Sequence, residues 1–204
     1  MTEVRERPLL FSAPMVRAIL DGRKGMTRRI VKPCVDRNFG CELSPGEIAG
    51  EPDPSVHCPY GKPGDRLWVK EAWALAAQYD DLKGKDIVGL PEMGCLRYKA
   101  DATYPAGFGR PRHARFMPRW ASRITLEITD VRAERLQSIT EEDAVAEGAT
   151  TWEYNPEQPL TSGERGGDSP YRSGFAYLWD TINDQRATWK SNPFVWRISF
   201  KRIA

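Results

Sequence analysis

Apolar positions recur along this chain with two periods, and each period marks a kind of element. Pro8 to Phe11 form a short apolar run that predicts a strand. Ser12 then offers an N-cap, with Pro14 in the first turn, where its missing N–H costs nothing. Met15, Val16, Ile19 and Leu20 follow at helical spacing and Gly22 supplies a stop, so the pattern predicts a helix over 13–21. Arg23 to Lys32 reads as a basic turn, and 33–63 as irregular chain with six prolines and no sustained period. Behind the Gly64-Asp65 turn, residues 66–73 alternate as a strand with Leu67, Val69, Ala72 and Trp73 toward the core. Residues 76–94 fit neither period; 95–99 read as a strand, and 101–121 as a loop rich in Pro, Gly and Arg. Ile124, Leu126, Ile128 and Val131 mark the clearest strand, over 122–136, with a bulge expected near Asp130. Thr140 to Asp143 resemble a capping box opening a two-turn helix that ends at Gly148. Residues 150–172 are a polar loop; Phe175, Leu178, Trp179 and Ile182 then share one face of a helix over 172–185. Phe194 to Ile203 alternate as a closing strand. Short strands, long connections and few helices predict a mixed α+β fold built on a small β-barrel, a single domain over 1–204.

Composition narrows the class. The chain has 204 residues, 40% hydrophobic and 28% charged, which excludes disordered, collagenous and low-complexity readings. Apolar runs fall far short of the roughly 20 residues that span a membrane. MTEVRERPLL has no apolar signal region, so a cytoplasmic protein with reduced cysteines is expected. Thirty Lys and Arg against 28 Asp and Glu leave a net charge of +2, with no basic tail.

That near-neutrality is a cancellation. Eleven of the 30 basic residues fall in two windows, 17–32 and 107–123, which together contain one acid, Asp21. The first holds Arg17, Arg23, Lys24, Arg28, Arg29 and Lys32. Such a cluster suits phosphate contacts, or it is a solvated surface turn. Lys24 and Thr27 lie three apart, a spacing that a helical turn would bring together. Like charge around Lys24 lowers its pKa, although a general-base value of about 7–8 needs roughly 4 kcal/mol of environment, so burial must contribute. The second window holds Arg110, Arg112, Arg115, Arg119 and Arg123 interleaved with Phe108, Phe116 and Trp120. Arginine beside aromatic faces suits single-stranded nucleic acid; the plainer reading anchors the aromatics in the core.

Other chemistry is thinly represented. Cys34, Cys41, His57 and Cys58 lack the tight paired spacing of structural zinc sites and read as isolated thiols. No nucleophile elbow, phosphate-binding loop or dinucleotide fingerprint occurs. Glu141, Glu142 and Asp143 sit in a helix's first turn, where carboxylates complement its dipole; Glu147 lies one turn further on.

In this order, LLFSAPMVRAILDGRKGMTRR (9–29), PGDRLWV (63–69), SRITLEITDVRAERLQSITEEDAVAEG (122–148) and VWRISFKRI (195–203) resemble the ASCH domain family. The resemblance covers about 90 residues and is carried by the G-R-K-x-x-T-R turn and the order of the pieces. It implies a PUA-like barrel of five or six strands with flanking short helices, here with insertions at about 33–62, 76–120 and 150–171. The smallest bacterial members are N4-acetylcytidine amidohydrolases with a Lys, Thr and Glu triad, which would fall on Lys24, Thr27 and Glu147. The resemblance implies no metal or cofactor.

By this reading Thr27 is the nucleophile and Lys24 its base, with Glu147 orienting the lysine or protonating the leaving amine. A variant keeps Lys24 charged over the oxyanion while Glu147 activates water. Arg23, Arg28 and Arg29 would grip ribose or phosphate, and Trp68 or Trp73 would stack on the base. The partner is then a nucleoside. The competing expectation is an RNA-binding module or ribonuclease using the same basic cleft, with Arg110, Arg112, Arg115 and Arg119 on RNA. A barrel retained only for protein interaction is the third.

Overall fold

The computed structural model describes residues 3–36, 39–87, 94–101, 108–151, 169–183 and 186–204. Nine strands and four α-helices occur among them: β1 (Glu6–Leu10), α1 (Ala13–Leu20), β2 (Met26–Ile30), β3 (Cys34–Val35), β4 (Glu42–Leu43), α2 (Pro45–Gly50), β5 (Arg66–Lys70), β6 (Trp73–Leu75), β7 (Leu96–Tyr98), β8 (Thr125–Arg135), α3 (Glu141–Ala146), α4 (Pro170–Asn183) and β9 (Phe194–Arg202).

Five strands form the main sheet in the order β1-β5-β8-β9-β2. Only β1 and β5 run parallel; the other ladders are antiparallel. The fold is therefore mixed α+β around a largely open sheet. Its edge strands, β1 and β2, share no backbone ladder among the described residues. One side chain does span the seam: Arg29 of β2 donates from Nη2 to the Leu10 carbonyl of β1 at 2.8 Å.

Elements with strong apolar periods form where their sequence predicts. Helix α1 starts after Ser12 with Pro14 in its first turn and buries Val16, Ala18 and Ile19. The β8–β9 register shifts between Ile128 and Asp130, where the bulge was expected. Helix α4 buries Phe175, Ala176 and Trp179. Thr140 caps α3 by accepting from the Asp143 N–H, and Gly148 follows its C-cap at φ 76°, a left-handed conformation natural to glycine.

Three expectations about local structure need correction. Residues 26–30, read as part of a basic turn, are a strand, because β9 supplies a complete antiparallel partner. The helical spacing assumed for Lys24 and Thr27 is consequently not realised: Lys24 precedes β2 and Thr27 is its second residue. The strand read over 66–73 ends at Lys70, and Trp73 begins β6 in a separate two-stranded sheet with β7. The supposedly irregular 33–63 also carries the β3–β4 ladder and α2, with a Ser44–Glu47 capping box. Most of the expected loop over 150–172 lies outside the described residues.

Three apolar clusters hold these elements. The largest lies under the main sheet around Phe11, Val16, Leu67, Ile124, Trp196 and Ile198. A second joins α3, α4 and β9 through Ala144, Phe175, Trp179, Trp189 and Val195. A third surrounds Trp73, Leu75, Met117 and Ala121. The free edge of β2 lies where the first two meet, and the candidate site is there.

Candidate active site

Backbone hydrogen bonds fix the approach to β2. The N–H groups of Arg23 and Lys24 both donate to the Ala18 carbonyl, and that of Gly25 donates to Ala146 at the end of α3. This docks the segment against the α3 terminus and turns the Lys24 side chain inward. Its ammonium donates to Glu147 Oε2 at 2.8 Å and to the Glu147 carbonyl at 2.7 Å. Lys24 is 3% exposed and Glu147 4% exposed, so the pair is essentially removed from water. Gly148 makes the approach possible: a Cβ there would lie 3.1 Å from the Ala18 Cβ and 3.3 Å from that of Lys24.

Burial of two charges is costly, and the surrounding residues offset it with a network. Arg28 donates to Glu134 and Asp143 at 2.7 and 2.6 Å, and reaches Glu147 Oε1 at 3.4 Å. Arg197 pairs with Asp143 at 3.2 Å and with Asp130 at 3.1 Å. Registry explains the arrangement, since Arg28 stands opposite Arg197, and Arg197 opposite Arg132. Three guanidiniums thus cross β2, β9 and β8 side by side on one face. Like charges directly opposite repel, and Asp143 and Asp130 sit between them as counter-ions.

The titration behaviour follows from this packing. Burial lowers the Lys24 amine from its usual 10.5, and the Glu147 charge and hydrogen bond only partly oppose the shift. Arg28 is desolvated too, but its three carboxylates dominate and raise it. Burial pushes the Asp143 carboxyl up, yet hydrogen bonds and charge from Arg28 and Arg197 outweigh that and hold it below 3.8.

Thr27 is 1% exposed, and its buried hydroxyl has no hydrogen-bond partner. An orphaned buried hydroxyl costs about 1–3 kcal/mol, so its retention wants a reason. It lines a cavity of about 230 Å³ together with Glu147. Arg28, Arg29 and Ile30 line the same cavity, making four consecutive residues of one strand. Successive strand side chains alternate between faces, so all four can contribute only to a space opening along the strand's free edge. Opposite them stand Phe175, Leu178, Trp179 and Ile182, the whole apolar face of α4. Tyr60, Lys32, Asn183 and Arg186 complete the wall with Met15.

Lys24, Thr27 and Glu147 are therefore gathered at one place, with the lysine behind the glutamate and the threonine on the cavity wall. Arg28 and Arg29 join them. Arg23 does not: it is exposed and pairs with Asp21 at 3.0 Å. Trp68 is half-buried on β5 under the cations of Lys70 and Arg119 and does not line this cavity. Trp73 is fully buried, edge-on to Trp120, and offers no face to a ligand. The aromatic groups at the cavity are Tyr60, Phe175 and Trp179, which sequence reading missed or assigned to the core. In sequence Ile182 shows only as one more residue of the α4 apolar stripe; the structure leaves it 54% exposed at the cavity.

The second arginine window occupies another surface. Arg110, Arg112 and Arg115 line a groove that shares no residue with the Thr27 cavity. The Arg110 guanidinium donates to the Asp80 carbonyl, and that of Arg112 to the carbonyls of Tyr79 and Leu82. Arg119 pairs with Glu6 at 3.1 Å. These bonds spend much of the donor capacity on the protein itself. Phe116, by contrast, is 69% exposed.

Among the described residues, no three His, Cys, Asp or Glu side chains converge as metal ligands, and Cys34, Cys41, Cys58 and Cys95 are all free thiols. No helix among them is long and apolar enough to cross a membrane. Comparison with protein-family models, curated proteins and solved structures finds no match to this chain.

Proposed function

We propose that this protein is a hydrolase of the ASCH type that cleaves the exocyclic amide of N4-acylated cytosine nucleosides, on a PUA-like scaffold. The carrying observation is the orphaned Thr27 hydroxyl, facing a cavity whose wall includes the carboxylate bound to a buried, pKa-lowered lysine. A nucleophile needs a free lone pair and a nearby base, and an unpartnered hydroxyl meets the first requirement.

In the mechanism, neutral Lys24 takes the proton as Thr27 Oγ1 attacks the acyl carbon. The tetrahedral intermediate collapses with cleavage of the C–N bond, and the Lys24 ammonium returns the proton to the departing amine. Water then hydrolyses the acyl-threonine by the same route in reverse. Glu147, accepting from Lys24 through carboxylate and carbonyl, orients the amine toward the strand. Arg28 fixes the far carboxylate oxygen. In the charged-lysine variant, Lys24 stabilises the oxyanion and Glu147 draws a proton from water. The base rests against Tyr60 or the aromatic face of α4.

The test is release of cytidine from N4-acetylcytidine by purified protein. Turnover by the wild type and its loss in Lys24→Ala and Thr27→Val support the proposal. A wild type inert toward both N4-acetylcytidine and its 5′-phosphate, or full rate in Lys24→Ala, overturns it.

A second reading, RNA binding, is favoured by one feature: the groove along 110–118, which adds Lys83 and Lys85 to its arginines and displays Phe116. Its internal carbonyl bonds argue for a structural role for Arg110 and Arg112, so the amidohydrolase reading stands first.

A further inference from the structure

The charge of the Thr27 cavity does not balance. Among the described residues Glu147 is the only acid on its wall, and both carboxylate oxygens are committed to Lys24 and Arg28. Arg29, Lys32 and Arg186 line the same space, and none has a carboxylate within 4 Å among the described residues. Arg29 is the most telling of the three. Its guanidinium rests 5.4 Å over the Phe11 ring and donates to two backbone carbonyls, Leu10 at 2.8 Å and Arg28 at 3.3 Å. Carbonyls satisfy two of its five donors and neutralise none of its charge. Elsewhere on β2 the fold supplies carboxylates generously, with Arg28 receiving three. Burial outweighs the Glu147 charge that acts on Arg29 from a distance, and a desolvated cation with no carboxylate in contact is costly, a cost that a bound anion reduces.

We infer that the cavity recognises a phosphate group on its ligand, gripped by Arg29, Lys32 and Arg186, so that the substrate is a cytosine nucleotide rather than the free nucleoside. Arg29 provides the partly buried, bidentate contact, because a guanidinium fork matches phosphate oxygens. Lys32 and Arg186 are exposed and contribute charge at the rim. The phosphate source is either a mononucleotide or an RNA chain carrying the modified base. This inference takes the cavity to be the substrate site of the proposed function.

Calorimetric titration of the full chain with cytidine, 3′-CMP, 5′-CMP, a CpCpC trinucleotide and inorganic phosphate tests it apart from turnover. At least one CMP should bind about tenfold or more tightly than cytidine, with the preference shrinking as salt rises. Far tighter trinucleotide binding also supports phosphate recognition and assigns its source to RNA. Arg29→Gln should abolish the preference; because that residue ties β2 to β1, the rim variant Lys32→Gln/Arg186→Gln provides a second readout and should cut the CMP-to-cytidine ratio by about fivefold or more. Equal affinity for cytidine and every phosphorylated ligand overturns the inference, and so does a ratio untouched by both variants. Hydrolysis of N4-acetylcytidine and of its 5′-phosphate separates the two claims. Equal kcat/KM for both leaves the amidohydrolase standing without the phosphate site; tight CMP binding with neither substrate cleaved does the reverse.

Discussion

Arg28 and Arg197 stand directly opposite each other on β2 and β9, and the carboxylate of Asp143 bridges them at 2.6 and 3.2 Å. Two guanidiniums in register would push an edge strand away from its sheet; with Asp143 between them, they hold it and fasten α3 to it. Asp143→Asn should therefore destabilise the protein by about 2–3 kcal/mol, measured by urea unfolding, with little of the loss recovered in high salt. The pH dependence has a definite sign. The native carboxyl is held below its unfolded value of 3.8, so its contribution is complete above that value and disappears as pH falls through the depressed one. Acid titration of the Asn variant should lack that part of the loss.

The Lys24–Glu147 pair separates structure from chemistry. Glu147→Ala leaves a buried ammonium beside an empty site and should cost about 3–5 kcal/mol. Replacing both partners with apolar residues, Lys24→Met/Glu147→Leu, should restore most of that stability in a thermal melt while abolishing N4-acetylcytidine hydrolysis. A double variant that regains stability and still turns over substrate would reduce the pair to a structural tie.

As the base of the proposed reaction, Lys24 would also set the pH profile. Because burial lowers its amine below 10.5, the neutral, proton-accepting form appears at lower pH than in the unfolded chain. If Lys24 is the base, kcat/KM rises with pH through the lowered value and then levels. Folding stability moves in the same direction, increasing as pH climbs through the folded pKa toward the unfolded one, because the native state sheds its proton first. Parallel measurements of rate and urea midpoint check both limbs.

Thr27→Val should have opposite effects on the two properties. Its hydroxyl is buried without a partner, so removing it relieves a desolvation cost and should raise stability by about 1 kcal/mol. Amide hydrolysis should vanish, and Thr27→Ser should keep measurable turnover. A stability loss on removing the hydroxyl would mean that it has a partner in solution.

Gly148→Ala puts a Cβ onto a left-handed backbone and within 3.1 Å of Ala18 and 3.3 Å of Lys24. The expected cost is about 1–2 kcal/mol, with a larger proportional loss in kcat than in stability because one of the two crowded groups is the lysine itself.

The sequence made legible the elements whose burial is apolar. Val16 and Ile19 in α1, Leu126 and Ile128 in β8 and Phe175–Trp179 in α4 all obey a simple period, broken in β8 only at its bulge before Val131. Strand β2 was hidden because Thr27, Arg28 and Arg29 look like surface residues. Arg28 is covered by partners more than 100 positions away, Glu134, Asp143 and Glu147, and no local window contains both halves of those ion pairs. Trp73 misled for the opposite reason. The alternation of β5 continues through it in sequence, but the chain leaves the sheet after Lys70, with Glu71 buried against Arg123 at 2.9 Å. Lys24, Thr27 and Glu147 were legible through a family resemblance, whereas the α4 wall was visible only as an amphipathic stripe.

Arg29 belongs at once to the sheet's seam and to the cavity wall. A guanidinium that braces β1 against β2 while facing the ligand space makes occupancy and seam rigidity a single thermodynamic quantity. An anion that orders Arg29 steadies the tie to Leu10, and loosening β1 weakens the hold on the anion by the same amount. Amide exchange along Glu6–Leu10, on the far edge of the sheet, is thus a gauge of what fills the cavity at the near one.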